Sequence, residues 1–403
     1  MSNKKNTSSD LQGITRLITD ATIGITDLVE AMHRRVVHPP FLPSTPIQHL
    51  ITKIAGFTFS SIKRSTRLIG NGVDKTLGHL NFLLGEIEAT EEKEAIRAAL
   101  NGVVGDYLER NENPLQIKMQ FRHAGMPVSL EKEKLKKSYP AINGKIILLI
   151  HGLCMNDTQW TRKGHNHGTT LATALDQTPI YLHYNTGRHI STNGEDFSEL
   201  LESLIEQWPV PVKELVIVAH SMGGLVTRSA FHYGQQQAKD WPKYLKKIIF
   251  LGTPHHGAPL EQAGNYLDVA LEAVPYAKPF ARLGKIRSAG ITDLRYGNLV
   301  ATDWQKKDRF KMEKDKSQHL PLPKGVACFS IAGIVGKETN PASSKVLGDN
   351  LVLLASALGQ HKDASRDLNF QKENTWIVEE NNHFDLLSNP AITDKIKQWM
   401  ERF

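Results

Sequence analysis

Cysteine is nearly absent: Cys154 and Cys328 are the only two in 403 residues. One bridge at most could form, which excludes a disulfide scaffold, and two lone thiols in so long a chain suit a reducing compartment. Long apolar runs are missing as well. No stretch reaches the roughly 18 uninterrupted residues that a simple membrane-spanning helix needs. The opening MSNKKNTSSD leads into LQGITRLITDATIGITDLVEA, where polar residues interrupt every few positions; no secretory signal is expected from such a pattern, and a cytoplasmic address is. Nor is there a dominant charge. The 49 Lys+Arg and 42 Asp+Glu leave a net +7, and no Lys/Arg cluster interleaved with aromatics points to nucleic acid. Internal repeats and low-complexity tracts are also lacking. What remains is 40% hydrophobic and 23% charged residues, enough for a full core and for more than one structural unit.

Two regions read differently. In residues 1–112, Leu11, Ile14, Ile18, Ala21, Ile25, Leu28, Met32 and Val36 recur at spacings of three and four, which paints one face of a helix. That pattern stops at HPPFLPSTP, with four prolines between positions 39 and 46. A second helical stretch runs from Pro46 to about Phe82, and a third, TEEKEAIRAALNGVVGDYLER, opens with Thr90 and glutamates suited to a helix N-terminus. From about residue 113 to 403 short β-rich runs alternate with helical segments: QIKMQF and PVSL, then KIILLI, PIYLHY, ELVIVAH, KIIFLG, VACFSIAG and NTWIVEE. Runs that are apolar on both faces, at helix-length intervals, predict a mostly parallel sheet covered on both sides. The first two are close enough to pair as an antiparallel hairpin. Helices are expected at about 166–176, 194–207, 222–237 and 390–402.

The sharpest chemical signal is ELVIVAHSMGG, an apolar strand that enters a tight turn at Ser221 and leaves as a helix. A serine at such an elbow is held with its hydroxyl exposed above the sheet, beside a helix N-terminus that favours developing negative charge. The usual G-x-S-x-G pattern has Ala219 in place of its first glycine. Acyl transfer through a hydroxyl also needs preorganised N–H donors for the tetrahedral oxyanion. The backbone amides of Leu153, in IHGL after the KIILLI run, and of Met222, next to Ser221, are the candidates. His151 reads as a loop-holding residue rather than a base. A serine nucleophile further needs a base and an acid that orients it, and for an elbow serine both come later in the chain. Among 17 histidines, His383 in NHFDLL lies just beyond the last β run, and Asp349 in KVLGDNLV comes after the penultimate one. His255 and His256 are rivals for the base; Asp293, Asp303 and Asp385 are weaker candidates for the acid.

AHSMGG, IHGL, LGTPHHGAP, GDNLV and NHFDLL together resemble the lipase and esterase branch of the α/β-hydrolase superfamily, in particular bacterial relatives of the GPI inositol-deacylase-like (PGAP-type) serine hydrolases. The resemblance covers about residues 115–403. It implies an α/β-hydrolase fold, a carboxylic ester hydrolase with Ser221, Asp349 and His383 as its triad, and the Leu153 and Met222 amides as its oxyanion hole. A phospholipase or acyltransferase with the same triad, or a non-catalytic lipid-surface protein, are the alternatives. No cofactor or metal is expected, since a serine nucleophile with an oxyanion hole is chemically complete. The His-rich GHNHG at 164–168 lacks carboxylates or thiols at ligand spacing.

Two segments remain. About 65 residues separate GTPHHGAP from VACFSIAG, and their apolar residues at helical spacing suggest a cap or lid over roughly 258–318 that builds an acyl pocket. Residues 1–80 hold ten Lys+Arg against five Asp+Glu, so most of the net charge sits there. Basic amphipathic helices suit either packing and self-association or peripheral contact with an anionic membrane surface, such as the inner face of a cell membrane.

Overall fold

The computed structural model describes residues 91–139, 141–258, 287–309, 315–336 and 348–402. The helices expected before residue 90 and most of the expected lid lie outside the described residues. Eight strands form one sheet: β1 (Gln120–His123), β2 (Met126–Pro127), β3 (Lys145–Ile150), β4 (Thr178–His183), β5 (Glu214–His220), β6 (Leu245–Leu251), β7 (Ala327–Gly333) and β8 (Thr375–Val378). Their order is β2-β1-β4-β3-β5-β6-β7-β8. The β1–β2 hairpin and the β1–β4 pair are antiparallel, and every pair from β4 to β8 is parallel.

The sequence pattern explains the division. Ile146–Ile150 and Leu215–Ala219 are fully buried, odd and even positions alike, because helices cover both faces of the central strands. Five helices of eight or more residues occur among the described residues: α1 (Glu91–Arg110), α2 (His167–Leu175), α3 (Ile190–Gln207), α4 (Met222–Gln236) and α5 (Pro390–Met400). They fall where the 3.6-residue periodicity predicts them, α3 starting a turn earlier. Helices α3 and α4 pack together closely, and a Cβ on Gly194 would lie 2.5 Å from the Ser229 Cβ. Helix α2 packs on α5.

Helix α1, which by sequence pattern belongs to an N-terminal extension, shares the core of the sheet body. Ala98, Ala99, Leu100, Val103 and Leu108 are buried. Gly102 lies against Cys154, and Gly105 against Asn185, whose Nδ2 donates to the Gly105 carbonyl at 3.0 Å. Ser288 Oγ donates to the Gly102 carbonyl at 2.6 Å. Val104 leaves helical geometry (φ −132°, ψ 20°), so the helix kinks between the two glycines. Among the described residues no helix is long and apolar enough to cross a membrane.

Parallel pairing places the carboxyl ends of β3, β5, β6, β7 and β8 at one edge. The chain reverses its direction of growth across the sheet at β3, which has β4 on one side and β5 on the other. Ligand sites in open α/β sheets form at this kind of edge and switch point.

Candidate active site

Strand β5 ends at His220 and α4 begins at Met222, which leaves Ser221 alone to make the turn, at φ 54° and ψ −125°. This is a strained conformation for a residue with a Cβ, costing about 1–3 kcal/mol. It is held by the Ser221 N–H donating to the Leu251 carbonyl at 2.9 Å and by the Gly224 N–H donating to the Ser221 carbonyl at 3.0 Å. The two glycines after Met222 are sterically required. A Cβ on Gly223 would lie 2.6 Å from the Ile150 carbonyl oxygen and 2.7 Å from that of His151, and one on Gly224 would meet Thr253 and Phe250. The start of α4 is thereby wedged between the ends of β3 and β6. Ala219 is fully buried between Ile150 and Phe250 in register, so the methyl group in place of the first elbow glycine fits the sheet.

Asp349 lies after β7 in a turn that needs positive φ on both sides of it: Gly348 at 57° and Asn350 at 80°. Asparagine tolerates that region better than most residues, which accounts for its place in GDNLV. The Asp349 Oδ1 accepts from the Leu351 and Val352 N–H groups at 3.0 and 2.8 Å. Its Oδ2 lies 2.6 Å from His383 Nδ1, and the His383 N–H donates to the Asp349 carbonyl at 3.0 Å. Both side chains are buried. With Nδ1–H donating to the carboxylate, the basic nitrogen of His383 is Nε2, which has no hydrogen-bond partner. Gly252, at φ 57°, passes beside this pair. A Cβ there would lie 3.1 Å from both Asp349 Oδ2 and His383 Cε1.

The IHGL loop runs along the Ser221 turn. A Cβ on Gly152 would lie 3.0 Å from the Ser221 Cβ, so Gly152 is what lets this loop approach. Leu153 and Met222 are buried. Cys154 holds a φ of 60° while its N–H donates to Thr186 Oγ1 at 3.1 Å. His151 has the loop-holding place expected of it. Its Nδ1 is 3.0 Å from the Gly152 carbonyl, and its ring stacks on Tyr184 with centroids 4.5 Å apart. The Tyr184 hydroxyl donates to the His151 carbonyl at 2.8 Å. Burial lowers the His151 pKa to about 3, so the ring is neutral.

The competing residues are engaged elsewhere. His255 Nδ1 faces the Arg228 guanidinium at 3.3 Å, and His256 Nε2 donates to the Gly359 carbonyl at 3.0 Å. Asp293 Oδ2 accepts from the Ile190 N–H at 2.9 Å at the start of α3. Asp303 Oδ2 accepts from the Leu299 and Val300 N–H groups, and Asp385 pairs with Lys163 at 2.8 Å. In GHNHG, His165 and His167 both reach Thr393 Oγ1, at 2.7 and 2.6 Å, joining α2 to α5. Among the described residues no group of three or more His, Cys, Asp or Glu could hold a metal ion.

Sequence reasoning misses a buried polar network behind His151. Arg122 on β1 pairs with Glu94 of α1 at 2.6 Å and with Asp157 at 3.3 Å, and His183 Nδ1 is 3.1 Å from Asp157 Oδ1. Burial opposes charge on Asp157, but His183 and Arg122 outweigh it and hold its pKa below the usual value. Burial, with Arg122 beside it, lowers the pKa of His183 against the opposing pull of Asp157 and Glu94. The residues come from α1, β1, β4 and the 3-10 turn Asp157–Trp160, with nothing in spacing to link them. His220 is missed too, because in the sequence it is only one more position of the elbow.

Residues 141–321 match the PGAP1-like alpha/beta domain family. No curated protein sequence matches the chain. Among solved structures, the mature Bacillus licheniformis lipase aligns over 70% of this chain and 97% of its own, with 16% identity and a TM-score of 0.44. The hyperthermophilic esterase of Pyrobaculum calidifontis aligns over 81% and 95%, with 9% identity and a TM-score of 0.41. A Legionella pneumophila phospholipase aligns over 53% and 45%, with 15% identity and a TM-score of 0.35.

Proposed function

For a chain of α/β-hydrolase fold that carries a PGAP1-like alpha/beta domain over residues 141–321, we propose the activity of a serine hydrolase that cleaves carboxylic esters. Ser221 Oγ attacks the ester carbonyl while His383 Nε2 takes its proton. Asp349 orients the imidazole and stabilises the imidazolium that forms. The Leu153 and Met222 N–H groups receive the oxyanion, with the N-terminus of α4 adding favourable potential. The tetrahedral intermediate collapses as His383 returns the proton to the leaving alcohol, and Ser221 keeps the acyl group. A water molecule, deprotonated by His383, then releases the acid and restores Ser221. The observation that carries this reading is the buried 2.6 Å contact between His383 Nδ1 and Asp349 Oδ2, which leaves Nε2 unpartnered at the sheet edge where Ser221 turns.

The substrate is proposed to be lipid-like, on the strength of the apolar residues at helical spacing in the insertion within 258–318, which would act as a cap. The part of the N-terminal region, residues 1–112 by sequence pattern, that precedes α1 is proposed to meet a surface or a second copy. The test is labelling by a fluorophosphonate probe together with turnover of p-nitrophenyl esters of increasing chain length. Wild-type protein should label and turn over, and Ser221→Ala should do neither. A wild-type protein inert in both assays would sink the proposal, and an active Ser221→Ala would show that another nucleophile operates.

A further inference from the structure

The geometry points to His220 as a positioning residue: its imidazole, set between the base loop and the oxyanion loop, fixes where His383 stands relative to Ser221. This inference rests on the reading of His383 as the base. His220 is the last residue of β5, paired in register with Leu251, so its backbone is anchored in the sheet one residue before the nucleophile. Its side chain is buried. The Nε2 of the ring lies 3.1 Å from the His383 carbonyl oxygen and must be the protonated nitrogen, because a carbonyl only accepts. The His220 and His383 rings lie with centroids 4.6 Å apart and planes tilted by 48°, and Phe384 closes the same side at 6.2 Å. The other edge of the His220 ring faces Gly152, where a Cβ would come within 3.1 Å of Nδ1. One imidazole therefore touches the loop of the base and the loop of the oxyanion donors, and its residue is bonded covalently to the nucleophile.

The arrangement has a mechanistic use. His383 itself is otherwise tied to the acid, through its backbone N–H and its ring Nδ1. Those two bonds set the ring against Asp349, and the His220 bond supplies the missing restraint toward Ser221. A displacement of about 1 Å in such a constellation can cost 100-fold in rate. The neighbour must also stay uncharged when His383 becomes an imidazolium. Burial, with His383 next to it, holds the His220 pKa well below that of a free imidazole. Arg162 and His151, the other basic groups that act on it, push the same way.

The test compares His220→Leu, which keeps bulk and removes the donor, with His220→Gln, whose amide N–H reaches the place of Nε2. With a p-nitrophenyl ester, His220→Leu should lower kcat about 10- to 100-fold with KM within about twofold of wild type, and His220→Gln should recover most of the loss. Fluorophosphonate labelling of Ser221 should slow in the same order. Unchanged kcat in His220→Leu overturns the inference. So does an equal loss in both variants that tracks a fall in Tm, since that pattern belongs to packing. If wild-type protein shows no Ser221-dependent labelling, the ester-hydrolase reading fails and takes this one with it; labelling that is intact in wild type isolates His220 as the only claim at stake.

Discussion

Single atoms decide the chemistry at two places. Asp349 contributes one oxygen to main-chain N–H groups and the other to His383. Asp349→Asn keeps the first set and turns the second into an amide N–H facing an imidazole N–H, which favours the wrong tautomer. We expect kcat to fall about 10³- to 10⁴-fold, with the unfolding midpoint little changed; a loss under tenfold would argue that another acid serves His383. Gly252 is the second place. Alanine there combines a left-handed φ of 57° with a Cβ 3.1 Å from both members of the pair. The expected result is a loss of about 1–2 kcal/mol in urea unfolding, and a drop in kcat that exceeds what stability explains. At this scale the sequence is informative where chain order constrains the answer. Ser221, Asp349 and His383, the proposed triad, are named from an elbow and from the order in which an acid and a base are expected to succeed it, and the structure brings Asp349 against His383. His220 and the Arg122–Glu94–Asp157–His183 network cannot be found in this way, because their meaning lies in contacts between distant segments, and a lone histidine or carboxylate carries no spacing to betray it.

At the scale of elements, the central strands β3 and β5 are legible because burial on both faces leaves near-continuous runs of Ile, Val and Leu. Helix α1 is legible as a helix but not as part of the sheet body. Its packing face mixes Leu100, Val103 and Leu108 with Ala98, Ala99, Gly102 and Gly105, and these small residues weaken the amphipathic signal yet allow close approach. Gly102 tests the point: a Cβ there meets the Cys154 Sγ and lies 3.0 Å from its Cα. Gly102→Ala should destabilise the protein by about 1–3 kcal/mol. Replacing Cys154 with alanine removes the sulfur, so the double variant should recover part of that loss, a coupling of about 1 kcal/mol by denaturant unfolding. Strict additivity would mean that the two do not touch in solution. Because Cys154 adjoins Leu153, the single variant should also raise KM or lower kcat where a surface substitution of α1 does not.

For the whole molecule, buried histidines predict a direction for pH. Burial lowers His151 to about 3 and His167 to about 4, whereas unfolded imidazoles titrate near 6.5. Between those values the unfolded chain binds protons that the native chain does not. Stability is therefore complete above about pH 6.5 and falls as the pH drops toward 4, each histidine costing up to about 1.4 kcal/mol per unit. The urea midpoint should be clearly lower at pH 5 than at pH 7.5; equal midpoints would refute neutral burial of both rings. The basic N-terminal segment makes a separate prediction. Deleting residues 1–80 should abolish sedimentation with anionic liposomes while leaving soluble-ester turnover intact, and unchanged sedimentation would remove the membrane reading. The packing of α1 limits where such deletions can be made. A fragment beginning at residue 113, the boundary that charge and periodicity suggest, loses the wall behind Cys154 and strands the Arg122 guanidinium without Glu94. It should be recovered as insoluble aggregate, whereas one beginning a few residues before Glu91 should purify as an active monodomain reagent suited to crystallisation and assay.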